Sequence, residues 1–527
     1  MSGTGRLVPF VAVLALLIAG CDTGEPVDTD GTAGDGTGTE TQTGTESPGD
    51  GDGQATGGTL VAAISSQPDQ LDPHQTTAYP SFQVLENVYD TLVVPGPENL
   101  EFQPSLATDW TVSEDNLTWT FTLRDDVTFH DGSTFDSADV AYSYNRIIDE
   151  ELANAFRFGN VEEIRTPDAT TVEIQLSQPT PNLLANIGGF KGMAILSEGA
   201  AEEFDLSTEA NGTGPFTLES VNPDSIELAA FDDYWGEGPF VDGVSFRFIS
   251  EGTTALTELQ TGNVHWTDNI PPQQIESLSG EEGIVLEQVP SVDYWYWTAN
   301  FNREPFDDPN VRKALAYGIN REDIAEAAHF GAATVNQTAI PEDSFWASDY
   351  APYSHDPEQA RQLLEEAGVS DLTMGLMVTD EFPQTVTVAE VIASQLDQIG
   401  ITVEIQTETF ATWLDRQGQG DFDAFMLGWL GNLDPFGFYH AQHICDGGFN
   451  FHGYCNEETD QLLEEASAET DQEARRDLYH QAVENIVDDN SYIYLYNPDV
   501  VQAWVEGLSG YTIRPDRAIN FEQVRLP

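Results

Sequence analysis

The stretch Leu117–Leu123, LTWTFTL, alternates bulky and polar side chains along its whole length. An alternation with period two is typical of a β-strand that buries one face. The same pattern returns in Thr171–Leu176, TVEIQL, and in Val244–Phe248, VSFRF. The stretch Phe129–Gly132, FHDG, follows the first strand. Because Asp-Gly favours a turn and neighbours on a strand point to opposite faces, we interpret FHDG as a structural turn rather than a catalytic His-Asp pair.

Helices alternate with strands in the second half of the chain. Asp308-Pro309 and Asp356-Pro357 each place a capping carboxylate before a proline at the first helical position, and Gly368 is expected to end the second helix. Apolar residues at helical spacing over Val388–Ile399 lead into a period-two pattern over Ile401–Ile405. The same patterns predict two more helices and a strand, marked by Leu462–Ala466, Leu478–Ile486 and Ile493–Leu495. The second half is therefore predicted to be an α/β lobe.

The chain is strongly acidic. It has 91 acidic residues against 18 basic ones, a formal net charge of −73, and only two lysines, Lys191 and Lys313. Such a charge strains a fold by self-repulsion in dilute salt, whereas in molar salt the Debye length falls to about 3 Å. The composition thus indicates a protein for very salty water; an acidic surface that attracts cationic ligands is the alternative. Nucleic acid is excluded as a partner, because there is no basic stripe to meet phosphates.

The N-terminus carries the pattern of an export signal. Leu7–Ala19 is almost entirely apolar, ends in small residues before Cys21, and is too short to span a hydrocarbon core of about 30 Å. Residues 1–21 are therefore predicted to be a signal peptide that resembles the lipobox type, with lipidation at Cys21; an uncleaved anchor helix is the alternative. Residues 22–58 contain 11 Gly, 9 Thr and 9 acidic residues and no Lys or Arg, so we expect a disordered acidic linker.

Beyond Cys21 the chain has two cysteines, Cys445 and Cys455. In an oxidising exterior this pair is expected to form a disulfide that closes a short loop. Imidazoles in the same stretch, together with thiolates, would suit zinc, copper or nickel, so a metal site is the alternative. The spacing matches no strong metal signature. We expect the disulfide, no metal, and histidines that are solvated or at the edge of a pocket: His440, His443 and His452.

Seven short motifs follow one another along the chain. The first is WTFTLR followed by FHDG and ADV, within Trp119–Val140. The next three are GTGPF at Gly212–Phe216, YW at Tyr234–Trp235 and ALTELQTG at Ala255–Gly262. The last three are PFDD and VRKAL, within Pro305–Leu315, and GW followed by DP, within Gly428–Pro435. In this order they resemble the extracellular solute-binding proteins of ABC transporters, family 5, the peptide/nickel type that includes dipeptide- and oligopeptide-binding members. The resemblance covers Gly58 to the C-terminus. Together with the acidic composition, it suggests a haloarchaeal source.

The resemblance implies an α/β, periplasmic-binding-protein-like two-lobed fold of class II, cluster C, with an extra subdomain in the first lobe. The first lobe would cover residues 58–294, including the subdomain at about 91–211. The second lobe would cover residues 295–496, and residues 497–527 would return to the first lobe. A ligand bound between the lobes would favour the closed form through contacts to both of them.

The resemblance also implies where specificity lies. Peptide-binding members offer an aspartate three residues after the tryptophan of the Gly-Trp motif to the ligand's α-ammonium group, whereas this chain has Asn432, which cannot form an ion pair. Asp434 can serve instead, although its proline neighbour suggests a structural turn. Three tryptophans lie in segments that line the family's pocket, with core packing as the alternative. The candidate ligand-binding residues are Trp297, Asn300, Trp413, Trp429, Asn432 and Asp434.

These features predict an extracytoplasmic, lipid-anchored substrate-binding protein that captures a solute, a peptide above all, and delivers it to an ABC permease. A binder of a metal chelate, sugar or other organic solute is the alternative on the same fold. A secreted hydrolase is a remote alternative, because the chain has no Gly-x-Ser-x-Gly elbow and no His-Glu-x-x-His motif. We expect a monomer at the outer face of the membrane, without enzyme activity or cofactor.

Overall fold

The computed structural model describes residues 57–97, 100–189, 192–379, 382–430 and 433–527. The predicted signal peptide with Cys21, and the linker up to residue 56, lie outside the described residues. Within the described ranges, no helix combines the length and the apolar character that crossing a membrane requires.

The described residues form strands and helices throughout. The strands are β1 Thr59–Ile64, β2 Val93–Pro95, β3 Phe102–Pro104, β4 Ala107–Val112, β5 Thr118–Leu123, β6 Val161–Asp168, β7 Thr171–Leu176, β8 Phe216–Val221, β9 Ser225–Ala230, β10 Gly243–Phe248, β11 Trp266–Thr267, β12 Ile284–Pro290, β13 Tyr294–Ala299, β14 Ala333–Val335, β15 Leu372–Thr379, β16 Ile401–Glu408, β17 Ala424–Trp429 and β18 Ile493–Val505. The helices are α1 Tyr79–Leu85, α2 Ser137–Asp149, α3 Leu183–Gly188, α4 Ala200–Glu203, α5 Gly252–Gln260, α6 Ile275–Leu278, α7 Pro309–Tyr317, α8 Arg321–His329, α9 Pro357–Glu366, α10 Pro383–Asp397, α11 Phe410–Gly418, α12 Pro435–His443, α13 Glu457–Ala468 and α14 Gln472–Asp488.

The strands predicted in the first half are confirmed. β5, β7 and β10 each fall within one residue of the three alternating stretches. In β5 the bulky residues Trp119, Phe121 and Leu123 are buried, whereas Thr122 is exposed. The period-two alternation therefore does separate a core face from an outer face.

The helix starts predicted in the second half are also confirmed. The Asp308 carboxylate accepts a hydrogen bond from the backbone N–H of Asn310 at the start of α7, and Asp356 caps α9 in the same way. Gly368 follows α9 with a φ of +71°, a conformation that costs glycine little. Helix α10 leads into β16, as the change of period from helical to alternating predicted.

A twelve-stranded sheet runs through the molecule and depends on one long strand. Its order is β16-β15-β17-β13-β18-β11-β1-β10-β9-β8, and β12 and β14 also pair with β18. The first part of β18 pairs with β13, where Tyr494 lies opposite Tyr296. The last part pairs with β11, where Trp504 lies opposite Trp266. One strand thus joins the two halves of the sheet.

Buried side chains form separate cores around the two parts of β18. One core holds residues from Tyr294 to Tyr496 and is called the second lobe here. Another holds residues between Leu60 and Trp266 together with residues from Trp504 to Val524, and is called the first lobe. A further core, from Leu92 to Ile195, surrounds the four-stranded sheet β4-β5-β7-β6 and is called the subdomain. The molecule is therefore a two-lobed α/β protein with an additional layer on the first lobe.

The FHDG stretch is a turn that attaches the subdomain to the first lobe. The N–H of Gly132 donates to the carbonyl oxygen of Phe129 over 2.8 Å. The imidazole of His130 accepts from the N–H of Gly212 over 3.3 Å and, through Nε2, donates to the carbonyl oxygen of Gly214 over 2.9 Å. Burial lowers the pKa of His130 to about 4, so the ring is neutral when it makes these bonds.

Candidate functional site

A large cavity lies between the two lobes. Its volume is about 1030 Å³, at the upper end of the range of roughly 300–1000 Å³ that is common for ligand pockets. The subdomain and the second lobe both line it, and so do the connection between β12 and β13 around Ser291 and the C-terminal segment around Ile513. A molecule in this cavity would therefore touch both lobes at once.

Both walls contain aromatic rings. Phe102 and Trp110 come from the subdomain, and Phe345, Trp346 and Phe438 come from the second lobe. Ring faces supply contact area without requiring a fixed hydrogen-bond partner. The walls are therefore suited to a ligand whose side chains vary.

A buried ion pair lies in the wall of the second lobe. The Arg475 guanidinium binds both carboxylate oxygens of Asp434, each over 2.7 Å, and its Nε donates to the carbonyl oxygen of Ala466 over 3.0 Å. Burial lowers the pKa of Arg475, but the charge of Asp434 outweighs this effect and raises the pKa above its usual value. Asp434 also caps α12 by accepting from the N–H of Phe436. The pair is thus internally neutral and fixed in place.

The same arginine supports the aromatic wall. Its guanidinium carbon lies 5.1 Å from the ring centre of Trp346, and that of Arg476 lies 4.8 Å from the ring centre of Phe345. Such cation–π contacts contribute about 0.5–2 kcal/mol each, more when the charge is desolvated. Helix α14 thereby holds the loop that carries both rings against the cavity.

The connection between the lobes is also fixed by charge. Asp293, whose side chain is fully buried just before β13, forms an ion pair with Arg517, with 2.6 Å between its carboxylate and Nε. The N–H groups of Ser291 and Val292 donate to the carbonyl oxygens of Pro498 and Pro515. The connection between β12 and β13 is therefore hydrogen bonded to both β18 and the segment that follows β18.

Three of the predicted ligand-binding residues lie in the core of the second lobe. Trp297 and Trp413 have no exposed surface. Asn300 donates through Nδ2 to the carbonyl oxygens of Gly420 and Phe422. None of the three lines the inter-lobe cavity as the structure describes it. The two tryptophans are therefore packed in the core, which was the alternative to a role in ligand binding.

The other candidates lie near the end of β17. Trp429 is partly buried and packs its ring edge to face with Phe449, 5.0 Å away, rather than lining the cavity. Asn432 lies outside the described residues. Asp434 does line the cavity, but its carboxylate is bound to Arg475. The structure thus brings one of the six predicted residues to the described wall of the cavity.

The cysteine pair and the histidines form part of the second lobe. Cys445 and Cys455 are joined by a disulfide, with an S–S distance of 2.06 Å. The expectation of solvated or pocket-edge histidines is wrong for His443 and His452, which are fully buried and both hydrogen bonded to the Ser491 hydroxyl over 2.8 Å. Burial keeps both rings neutral, because it lowers their pKa values, that of His452 to about 3. In the described ranges, no group of three or more His, Cys, Asp or Glu residues has a metal-binding arrangement.

The residues that build the cavity wall were missed by sequence analysis, although the sequence contains a signal for some of them. Phe345 and Trp346 are large rings in a loop rich in Pro, Asp and Ser, where no periodic core pattern explains them. Arg475-Arg476 is a pair of basic residues in a chain with very few. Aromatic residues in a loop, and adjacent basic residues in an acidic chain, are therefore sequence signals that can indicate a cavity wall.

Two lobes that share one long strand, with an aromatic cavity between them, define the class of two-lobed solute-binding proteins. The model of the family described as bacterial extracellular solute-binding proteins, family 5 (middle) matches residues 101–450. The chain belongs to this family, as the sequence motifs predicted. It is 30% identical over 486 residues to the glutathione-binding protein GsiB of Salmonella paratyphi A, covering 89% of this chain and 94% of the relative.

Solved structures of peptide-binding proteins have a similar fold. The fold is similar to that of DppA from Helicobacter pylori in complex with the peptide STSA, with 27% identity, a TM-score of 0.78, and 90% and 98% of the two chains covered. It is also similar to a dipeptide-binding protein from Pseudoalteromonas sp. SM9913 in complex with Met-Leu, with 25% identity, a TM-score of 0.78, and 89% and 100% covered. The protein is accordingly a solute-binding protein of the type that serves ABC importers, and not an enzyme.

Proposed function

We propose that this protein binds peptides in the cavity between its lobes and delivers them to an ABC permease in the membrane. The observation that carries the proposal is the cavity of about 1030 Å³ whose aromatic walls come from both lobes. A ligand that touches both walls stabilises the closed arrangement, because it gains contacts there that the open arrangement lacks. The permease would then recognise the closed, loaded form.

The charge distribution of the cavity supports a peptide of variable sequence. The Asp434–Arg475 pair is neutral as a unit, and both members are already bound to each other. Rings at Phe102, Trp110 and Trp346 offer contact area, and the other charged lining residues are two carboxylates, Glu101 and Asp343. The relatives named above bind glutathione, the peptide STSA and the dipeptide Met-Leu, all of which are peptides.

We further propose that the protein is anchored by lipid at Cys21 on the outer face of the membrane. The proposal rests on the apolar Leu7–Ala19 stretch, the small residues before Cys21 and the acidic linker that follows. Cys21→Ser, expressed in a cell that processes lipoproteins, should abolish partition of the protein into detergent. Equal partition of the wild type and the variant would refute lipidation at this residue.

The ligand is tested by identifying what the protein carries. The chain that starts at residue 57 is purified natively in molar KCl and denatured, and the released molecules are identified by mass spectrometry. Peptides of mixed sequence are expected. The variant Trp346→Ala should carry less peptide than Leu414→Ala, which removes an exposed side chain outside the cavity.

Release of one defined non-peptide solute would refute the peptide proposal. A metal chelate or a sugar would be detected in the same experiment, since both are released by denaturation. Equal peptide occupancy in Trp346→Ala and Leu414→Ala would show that the described cavity is not the binding site.

A further inference from the structure

The chain contains the acceptor pattern for N-linked glycosylation, Asn-x-Thr, three times. The three acceptor sites are Asn116–Thr118 (NLT), Asn211–Thr213 (NGT) and Asn336–Thr338 (NQT), and none has proline at its middle position. The family to which the chain belongs is extracellular, and secreted proteins carry such sugars on their surface. The folded structure distinguishes the three asparagines, because the sugar replaces one hydrogen of the side-chain amide and needs space beside it.

The fold leaves no place for a sugar on Asn211. This residue is 3% exposed. Its Nδ2 donates to Oδ2 of Asp131 over 3.1 Å and to the hydroxyl oxygen of Ser197 over 3.2 Å, so both hydrogens of the amide are used. A glycosylated asparagine keeps one hydrogen on this nitrogen. A sugar would therefore break one of the two bonds and displace buried neighbours.

Asn336 is held in the same way. Its Nδ2 donates to the carbonyl oxygen of Ile340 and to Oδ1 of Asn497, each over 2.8 Å. Asn497 is almost fully buried and itself donates to the carbonyl oxygens of Asp293 and Ala339. Both hydrogens of the Asn336 amide thus belong to a network that a sugar would interrupt.

Asn116 is different. It lies in the turn between β4 and β5 and is partly exposed. Its backbone N–H donates to the carbonyl oxygen of Ser113 over 2.9 Å, but within the described ranges its side-chain amide has no hydrogen-bond partner. Asn116 also lines a cavity of about 250 Å³, so there is space beside it that the protein does not fill. A sugar on this residue breaks no bond of the fold.

We propose that Asn116 carries an N-linked glycan and that the other two acceptor sites do not. In the reaction, a bond forms between Nδ2 of Asn116 and C1 of the first sugar, and the bond between C1 and the phosphate oxygen of a lipid-linked glycosyl phosphate breaks. The lipid phosphate leaves with the electron pair of the broken bond, and the amide gives up one of its two protons. Nothing is oxidised or reduced. The donor and its transferase are supplied by the membrane.

The time of the transfer follows from Thr118. The acceptor pattern requires the hydroxyl group of this residue. In the folded protein that hydroxyl donates to Oε1 of Gln175 over 3.1 Å, and Thr118 is the first residue of β5. The sugar is therefore attached before β5 pairs with β7. Chains that receive a sugar on Asn211 or Asn336 at that stage cannot complete the native hydrogen bonds, so the folded protein carries the glycan on Asn116.

The glycan lies at the border between the subdomain and the second lobe. Val112, which is 39% exposed, lines the same cavity as Asn116, together with Thr470 and Gln472 of the second lobe. The first sugar thus adds polar groups beside an exposed apolar side chain. The proposal does not depend on which solute the protein binds.

The test maps the three acceptor sites in the natural protein. The folded protein is isolated from the cells that produce it and digested, and the peptides that contain Asn116, Asn211 and Asn336 are analysed by mass spectrometry. We expect a glycan on most copies of the Asn116 peptide and unmodified asparagine in the other two. An unmodified Asn116, or a glycan on Asn211 or Asn336 in the folded protein, would overturn the inference.

Two matched variants, produced in the same cells, test the role of the hydroxyl. Thr118→Val keeps a β-branched side chain of similar size but removes the hydroxyl, whereas Thr118→Ser retains it. We expect loss of the glycan in the first variant and its retention in the second. In Asn116→Gly the glycan should also be lost, and glycine accepts the φ of +58° at this position, so the subdomain should still fold. Circular dichroism in molar KCl checks the fold of each variant. A glycan that persists in Thr118→Val or Asn116→Gly would refute attachment at this site.

Discussion

The ion pair between Arg475 and Asp434 offers a demanding test of how the cavity wall is built. The substitution Arg475→Met keeps the length and apolar stem of the side chain but removes the guanidinium. The two side chains are 4% and 13% exposed, so the remaining Asp434 carboxylate would stay largely desolvated without its partner. Removing one member of a buried pair typically costs about 3–5 kcal/mol. Because Asp434 keeps some contact with solvent, we expect a loss near the lower limit, about 3 kcal/mol.

A double-mutant cycle separates the pair from the other contacts of Arg475. Asp434→Asn removes the charge but preserves a good capping side chain for α12. Each single variant leaves one buried charge without its partner, whereas the double variant leaves none. We therefore expect the double variant to be more stable than the sum of the single losses predicts, by about 2 kcal/mol or more.

The assay is urea unfolding in molar KCl, followed by tryptophan fluorescence. A two-lobed protein need not unfold in one step, so the transition of the second lobe, which contains Trp297 and Trp413, is compared between variants. Additive losses in the cycle would refute the reasoning, as would a loss below about 1 kcal/mol for Arg475→Met. The effect of the wall on binding is separate from its effect on stability. Loss of the cation–π contact should free Trp346, so Arg475→Met should bind peptide more weakly even in conditions where the unfolding curve shows that the second lobe is fully folded.

Three further predictions concern stability. Burial and the charge of Arg312 lower the pKa of His452 to about 3, whereas the pKa of histidine in the unfolded chain is about 6.5. The stabilisation of the fold by the neutral ring is therefore complete above about pH 6.5 and is lost as the pH falls toward 3. In urea titrations, the unfolding free energy of the wild type should fall more steeply with decreasing pH than that of His452→Gln, by up to about 1.4 kcal/mol per pH unit. Identical pH profiles would contradict this. The net charge of −73 predicts that the thermal midpoint rises as KCl approaches molar concentration, and an unchanged midpoint would exclude self-repulsion as the cause of instability. Replacing Cys445 and Cys455 by Ser opens a loop of ten residues and should lower the unfolding free energy by about 2–3 kcal/mol, measured by urea unfolding; an unchanged midpoint would show that the loop is held by its other contacts.

Local patterns predicted much of the secondary structure because each element carries its own signal. The alternation in LTWTFTL marks β5 since one face of that strand is buried and the other is not. The Asp-Pro pairs mark α7 and α9 because the caps are formed by residues adjacent in the chain. These signals need no knowledge of distant contacts.

The cavity wall could not be predicted in the same way. Trp346 and Arg475 are far apart in the chain, and only tertiary packing brings the guanidinium over the ring. Trp297 was expected to contact the ligand because its segment resembles one that lines the family's pocket, but the residue pattern of β13 cannot show direction in a strand buried on both faces. All six residues of β13 are buried, including the polar Thr298, so the alternation of polar and apolar residues does not distinguish its two faces.

Several arginines of this chain form ion pairs that salt affects little. Pairs such as Arg146–Asp72, Arg475–Asp434 and Arg517–Asp293 each have at least one fully or nearly buried partner, and they lie at the subdomain, the cavity wall and the connection between the lobes. In molar salt, exposed charges lose their influence beyond about 3 Å, whereas buried pairs are screened much less. Attraction of a ligand by surface charge would be equally weak there. A wall of rings, positioned in part by a buried ion pair, would therefore remain effective in molar salt, which is the physical reason to expect recognition by contact area in this protein.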